Sequence, residues 1–345
     1  MTGTTMKVSS PAKVNLTFEI LGTREDGYHE VRTLLCAISL FDELVFTITE
    51  AREPEIVISL SPDSHESFAK DFPLGTDNLI ARAIRLYLSH NPHKKPLKIE
   101  VMVTKRIPMQ AGLAGGSADG AAALRAMNDF ATNSLDEDEL LALAAKLGAD
   151  MPFSLSGGLK IGSSRGDVLE SLPLTTEAPR FPALIIAKPR HLAISTPWAF
   201  KAYDAAADKI GLSEKTRDKG LTDDATLYAA DLLLEGRWEE AIKAFGNDFE
   251  QVIFPEYQEL KDIRADFVAL GARAVNMTGS GPTMYAIVDS LQAAHEMIEA
   301  YKEKQRIDCH ACVNKFDPLD LFAVEIIESG AFVNAIKNEL KQDDC

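Results

Sequence analysis

Cysteine is scarce in this sequence: four in 345 residues, scattered as Cys36, Cys309, Cys312 and Cys345. That excludes a disulfide framework. The Cys309-His310-Ala311-Cys312 spacing is the one metal-like pattern. Without a second ligand pair it reads as free thiols of a cytoplasmic protein. No run approaches the 18 or so apolar residues that a membrane span needs. The opening MTGTTMKVSS has no apolar core for a secretory signal, so no membrane partner is expected. Basic charge is in deficit, with 36 Lys and Arg against 52 Asp and Glu, a net charge of -16. A nucleic-acid binder needs a basic footprint, so no nucleic-acid partner is expected. An anionic small ligand is still allowed, because a few backbone N–H groups and one or two lysines can bind phosphate locally. Two nucleotide fingerprints are missing as well: there is no GxxxxGK[ST], and no GxGxxG opens the first helix.

The residues that are present describe a globular chain. Hydrophobic residues make up 46% and charged residues 26%, and the length suits about two domains at roughly 150 residues each. Val14–Ile20 alternates apolar and polar residues, which reads as a half-buried strand with Lys13, Asn15, Thr17 and Glu19 on its polar face. Further strands are expected at Glu43–Thr49, Leu97–Val103, Gly158–Ile161, Pro182–Ala187, Ala272–Asn276, Thr283–Val288 and His310–Phe316. Helices are expected at Asn78–Ser89, Ser117–Phe130, around Leu140–Leu147, around Leu260–Leu270 and at Ser290–Glu303, with one more in the tail Asp317–Cys345. Ser134 and Glu137 have capping-box spacing, and Gly148 is placed to end the helix that follows. Strands and helices mixed in both halves imply an α+β class, with helices laid on mostly antiparallel sheets.

Chemistry concentrates in three segments. Pro108 to Gly120 (PMQAGLAGGSADG) lies between a strand and an Ala-rich helix. Its glycines permit positive φ and close backbone approach, and the helix start offers unpaired N–H groups and a positive dipole end. Such a cradle suits nucleotide phosphates; a structural turn with Ser117 as N-cap would use the same glycines. Near the start stands Ser10-Pro11-Ala12-Lys13-Val14-Asn15-Leu16, and late in the chain Thr278-Gly279-Ser280-Gly281-Pro282-Thr283.

The order and spacing of these three resemble the GHMP kinase superfamily. Four more segments resemble its 4-diphosphocytidyl-2-C-methyl-D-erythritol kinase family: Arg24–Glu30, Thr76–Leu79, Leu147–Phe153 and Ser195–Phe200. The resemblance covers roughly residues 7–316. It implies a GHMP kinase two-domain fold, with a ribosomal protein S5 domain 2-like N-terminal domain (1–190), a ferredoxin-like C-terminal domain (191–316) and an unmatched extension (317–345). It implies transfer of the γ-phosphoryl group of ATP, with Mg²⁺, to the tertiary hydroxyl of a cytidine-diphosphate substrate, in the non-mevalonate route to isoprenoid precursors. Asp150 would be the catalytic carboxylate; taken alone, an Asp before a Pro-bearing turn is more often a helix cap. Lys13 would be the catalytic cation, offsetting charge on the transferring group. Asn15 would hydrogen-bond substrate. Tyr28, His29 and Phe200 would hold the cytosine base, and Thr196 would touch its phosphates. Asn78, Lys105, Pro108, Gln110, Ala111, Gly112, Leu113, Ala114, Gly115, Gly116 and Ser117 would surround ATP, and Gly279, Ser280 and Gly281 would close over the site. Position 118 is Ala where many relatives have a second Ser, so no protein metal ligand is assigned. A monomer or homodimer is expected. The alternatives are a GHMP kinase for another alcohol, such as homoserine or a mevalonate derivative, and a catalytically silent nucleotide-binding protein.

Overall fold

A computed structural model of the chain describes residues 3–173, 182–210, 224–311 and 318–334. In chain order these form β1 (Thr4–Thr23), β2 (His29–Glu50), β3 (Glu55–Leu60), α1 (Glu66–Ala69), α2 (Leu79–His90), β4 (Leu97–Thr104), α3 (Gly115–Phe130), α4 (Glu137–Leu147), α5 (Met151–Ser156), β5 (Leu159–Ser163) and β6 (Val168–Ser171). There follow β7 (Ala183–Pro189), α6 (Thr196–Ile210), α7 (Ala225–Leu234), α8 (Trp238–Ala241), β8 (Gly246–Asn247), α9 (Glu250–Glu256), α10 (Gln258–Ala269), β9 (Ala274–Met277), β10 (Met284–Val288), α11 (Leu291–Ala311), β11 (Leu319–Val324), β12 (Ile326–Ile327) and β13 (Phe332–Asn334). No helix among the described residues is long and apolar enough to cross a membrane.

The first sheet runs β13-β1-β2-β4-β3, with β8 on β1 and with β5 and β12 on β2. Its spine is the long antiparallel β1–β2 pair, whose register shifts between Pro11 and Ala12, Asn15 and Thr17, and Ile20 and Gly22. In β4 the alternation does what it promised: Leu97, Ile99, Val101 and Val103 are buried. They meet α2, α3 and α4 in one apolar core. The small side chains of Ala121, Ala122, Ala123 and Ala126 are wholly buried there and let α3 lie close to its neighbours. Next to them, a Cβ on Gly120 would stand 2.9 Å from the Met151 sulfur.

The second sheet, β11-β7-β10-β9, is antiparallel throughout. Leu260, Ile263 and Phe267 of α10 pack beside it, and Phe267 stacks on Tyr301 of α11 with centroids 4.7 Å apart. This is the α+β architecture that the sequence implied. β7 lies before residue 190, yet it pairs in the second sheet, while β8, β12 and β13 return to the first.

Several local expectations need correction. The polar face of β1 is not half-exposed: Lys13, Asn15, Thr17 and Glu19 are all buried. Glu19 accepts from Ala225 N and Thr226 N at the start of α7, and Thr17 Oγ1 meets Thr226 Oγ1 at 2.7 Å, so a second layer covers that face. The capping box belongs to Asp136 and Glu139, two residues beyond the expected pair. Helix α11 runs through His310 and Ala311, so no strand starts there; residues 312–316 of that expected strand lie outside the described residues. The second-sheet edge beside β7 is filled by β11. The described part of the tail supplies strands through Asn334; residues 335–345, including Cys345, lie outside the described residues, as does Cys312. Cys36 is a buried free thiol, which burial pushes up to about 12.

The tail also braces α5. Ala331 N donates to Ser154 O, and the turn before it lies directly on Gly157, where a Cβ would fall 2.1 Å from Gly330 N. Gly157 has φ 60 and ψ -155, a conformation almost confined to glycine. Gly157→Ala is therefore expected to cost at least about 1–3 kcal/mol and to lower the thermal midpoint. Gly75→Ala is the control, because nothing lies within 4 Å of its Cβ position. Equal midpoints for the two variants would show that the tail does not rest on α5.

Candidate active site

The three motif segments meet at one point. Lys13 sits on β1, 6% exposed, and its Nζ donates to Asn15 Oδ1 at 2.6 Å. The lysine's backbone N donates to Leu113 O at 3.2 Å, tying β1 to the glycine-rich loop. A Cβ on Gly112 would lie 2.5 Å from Thr278 O, so the first loop crosses the third motif where only glycine fits. A Cβ on Gly279 would lie 3.4 Å from both Lys13 Nζ and Asn15 Oδ1. The bare glycine leaves room beside the ammonium group.

Asp150 comes to the same place from α4 and α5. Its Oδ1 is 3.9 Å from Lys13 Nζ, and its side chain is half exposed. It occupies the N-cap position of α5, but its side chain makes no capping hydrogen bond. An Asp at that position ordinarily earns its place by such a bond. This carboxylate instead faces the lysine and solvent.

Asn15 holds the lysine. Its Oδ1 accepts from Lys13, its Nδ2 donates to Thr33 Oγ1 at 2.7 Å, and its backbone N donates to Thr278 Oγ1 at 2.9 Å. Thr33 passes its own hydrogen to Thr17 O at 2.6 Å. With its carbonyl oxygen given to the ammonium group, Asn15 orients Lys13 directly.

The glycine-rich loop has three residues at positive φ in quick succession: Gln110 at 49°, Gly112 at 74° and Ala114 at 57°. Ala114 is the N-cap of α3 and has no oxygen with which to cap it. The first-turn N–H groups of α3 are thus left without a side-chain partner, and Gly116 is exposed. This is the usual anion-binding arrangement at a helix start. Ser117 lies inside the helix, so the turn capped by Ser117 is excluded. Pro108, Ala111 and Leu113 are buried and anchor the loop; Gln110 is exposed on its rim.

Asn78 and Lys105 are not on the open side of that loop. Asn78 caps α2, accepting from Ile80 N at 2.8 Å and donating to Pro73 O at 2.5 Å. Lys105 is 1% exposed, with its ammonium between Asp42 and Asp119. Asn78 serves here as a helix cap, and the Lys105 ammonium faces inward to its two carboxylates.

The third motif is held from behind by Asn247, a residue the sequence reading missed. Its Nδ2 donates to Met277 O at 2.9 Å and to Gly279 O at 2.8 Å. A Gly-Asn-Asp triplet between helices was the only signal. Ser280 Oγ lies 2.9 Å from Thr196 Oγ1, so the motif also touches the start of α6. One turn further along α6, about 6 Å away, Phe200 stacks on His29 with centroids 4.4 Å apart and planes at 15°. His29 Nε2 is 2.7 Å from Asp204 Oδ1. Phe249 meets Phe200 edge-on at 4.8 Å. Tyr28 is 58% exposed, with the Arg165 guanidinium 5.2 Å from its ring centroid. Helix α6 thus joins the charged centre to an aromatic patch.

Among the described residues no group of three or more His, Cys, Asp or Glu side chains could hold a metal ion. Asp119 Oδ2 accepts from Lys105, and no protein magnesium ligand is assigned.

In sequence and in fold the chain is similar to known proteins. The GHMP kinases N terminal domain family matches residues 78–158, and the GHMP kinases C terminal family matches residues 229–307. A 4-diphosphocytidyl-2-C-methyl-D-erythritol kinase of Synechococcus sp. (strain JA-2-3B'a(2-13)) is 36% identical over 308 residues, covering 89% of this chain and 92% of the relative. One from Thermoanaerobacter pseudethanolicus is 33% identical over 298 residues, covering 86% and 92%. The crystal structure of a 4-(cytidine 5'-diphospho)-2C-methyl-D-erythritol kinase superposes with a TM-score of 0.67 at 29% identity, over 93% of this chain and 99% of the other. L. major mevalonate kinase in complex with R-mevalonate gives a TM-score of 0.70 at 16% identity, over 95% and 98%, a likeness of fold alone. By its sequence relatives, its matched families and its fold, the chain belongs to the 4-diphosphocytidyl-2-C-methyl-D-erythritol kinase family of GHMP kinases.

Proposed function

We propose that the chain transfers the γ-phosphoryl group of ATP to the tertiary hydroxyl of 4-diphosphocytidyl-2-C-methyl-D-erythritol, in the non-mevalonate route to isoprenoid precursors. The observation that carries this is the approach of the Lys13 ammonium to the Asp150 carboxylate, 3.9 Å apart, where the glycine-rich loop and the third motif cross. The triphosphate lies on the start of α3, held by its first-turn N–H groups. The acceptor hydroxyl stands between Asp150 and the terminal phosphorus. Its oxygen forms the new bond to phosphorus as the bond to the ADP oxygen breaks, and its proton passes to Asp150. Lys13 offsets the negative charge on the transferring oxygens. Alignment and charge stabilisation supply most of the rate, as in phosphoryl transfer generally. Mg²⁺ would ride on phosphate oxygens and water and offset part of their charge. The patch of Tyr28, His29 and Phe200 receives the cytosine. The enzyme works in the cytoplasm as a monomer or homodimer.

The test is ADP formation with candidate acceptors. The diphosphocytidyl alcohol should give one ADP per acceptor, and millimolar CMP or CDP should inhibit competitively. Turnover of homoserine or mevalonate without inhibition by either nucleotide would replace this reading with a kinase for another alcohol.

A further inference from the structure

Beneath the glycine-rich loop lies a charged cluster with no role in the chemistry above. Lys105 follows β4 directly, and its Nζ donates to Asp119 Oδ2 at 2.8 Å and, by a shorter contact, to Asp42 Oδ2. The other oxygen of Asp42 accepts from Arg106 N at 2.6 Å and Ile107 N at 3.0 Å, the first residues of the strand-to-loop turn. Asp119 lies in the second turn of α3. The Lys105 ammonium is also 3.5 Å from the Cβ position of Gly115, the first residue of that helix. The three side chains therefore join β2, the end of β4 and the start of α3 at the spot where the helix must be aimed.

The charge does not balance if all three are ionised. Asp42, Lys105 and Asp119 are 0–2% exposed at their side chains, and two carboxylates face one ammonium group. Asp42 uses both oxygens, but Asp119 Oδ1 has no hydrogen-bond partner among the described residues. An unpaired buried charge of this kind is costly, and a carboxyl beside a carboxylate takes up a proton instead. Burial pushes Asp119 up to about 8; Lys105 works against this, and the Asp42 carboxylate adds to it. Of the other elements packed on this end of α3, β1 contributes Ser10, whose Oγ donates to Ala118 O, α2 contributes Leu79 and α5 Met151. The charged or titratable residues at the edge of the cluster include His65, whose N donates to Lys105 O at 2.9 Å, Arg106, whose N donates to Asp42, and Lys13, whose N donates to Leu113 O in the loop. β13 carries only Phe332, Val333 and Asn334, and the Arg125–Glu137 pair between α3 and α4 lies a turn and a half further on. Phe72 lies 5.7 Å from the Lys105 ammonium.

We propose that Asp42, Lys105 and a protonated Asp119 form a neutral buried clamp that positions the start of α3 for nucleotide phosphates. The inference rests on the reading that the phosphates sit on this helix start. A neutral clamp leaves the positive end of the helix unopposed. Loss of the Asp119 proton places one negative charge beneath the phosphates, so nucleotide binding and that proton favour each other. These residues position the loop and touch no reacting atom.

The experiment compares ADP binding by calorimetry in the wild type and Asp119→Asn from pH 7 to 9.5, where ADP keeps one charge state above about pH 8. In the wild type the Kd should rise roughly five- to tenfold over this range; in Asp119→Asn it should change less than twofold. The carboxylic-acid infrared band should be present in the wild type at pH 7 and absent in Asp119→Asn, a signature that a merely structural Asp119 would not give. Parallel pH profiles for the two proteins, or no such band, would overturn the clamp while leaving nucleotide binding in place. A folded wild type that binds no ADP at any pH would instead overturn the phosphate cradle, and the clamp with it.

Discussion

Asp150→Asn is expected to lower kcat by roughly a hundred- to ten-thousandfold, the usual contribution of a positioned general base, while ATP affinity changes only a few-fold. Asn keeps the shape and loses the proton acceptor. The site allows an unusually clean separation of activity from stability. An Asp at a helix N-cap normally stabilises by about 1 kcal/mol through its capping bond. Asp150 makes no such bond, so neither Asn nor Ala should shift unfolding by more than about 0.5 kcal/mol. Steady-state kinetics and urea unfolding on the same preparations check both halves. A variant with wild-type kcat would remove Asp150 from the chemistry; one that unfolds about 1 kcal/mol sooner would return it to the role of a cap.

Lys13→Met is expected to lower kcat by roughly a hundred- to a thousandfold, the scale for loss of one donor to developing charge. ADP binding should change less than about threefold, because the lost contact is to the terminal phosphoryl group that ADP lacks. Unlike the Asp150 change, this one should also destabilise, by about 1–3 kcal/mol. Met fills the volume but strands Asn15 Oδ1, whose partner at 2.6 Å is the ammonium group. Its other contact, Thr278 Oγ1, is 3.5 Å away. Lys13→Arg should not restore activity. The room beside the ammonium is fixed by Gly279, which has φ 55 and a Cβ position 3.4 Å from Nζ, and a planar guanidinium needs more. A parallel loss of kcat and ADP affinity in Lys13→Met would mean that the lysine holds the loop and not the transferring group.

The sequence revealed the parts of this site that depend on backbone chemistry. Glycines at 112 and 279 are required because two loops and a lysine pass within van der Waals distance of them, and such crowding leaves a mark in composition. The alternation in β4 and the Ala-rich run of α3 were legible for the same reason, since burial on one face or close helix packing restricts residue type. Lys105 was not legible. A lysine at a strand end looks solvated or ligand-facing until its partners are known, and those partners stand 63 and 14 residues away. Asn247 and Thr33 were hidden likewise, because their hydrogen bonds cross between elements distant in the chain. The strands of the tail were not legible because short strands such as β12 and β13 owe their form to the partners they pair with, Ile38, Ala37 and the Lys7–Ser9 stretch, and not to local propensity.

A crystal structure with a non-hydrolysable ATP analogue and the diphosphocytidyl alcohol bound together tests the assignment most directly. The acceptor hydroxyl should lie within about 3.2 Å of an Asp150 carboxylate oxygen, with the terminal phosphate in line beyond it and the Lys13 ammonium against that phosphate. A hydroxyl beyond hydrogen-bond reach of Asp150, with the terminal phosphate turned away from Lys13, would contradict it.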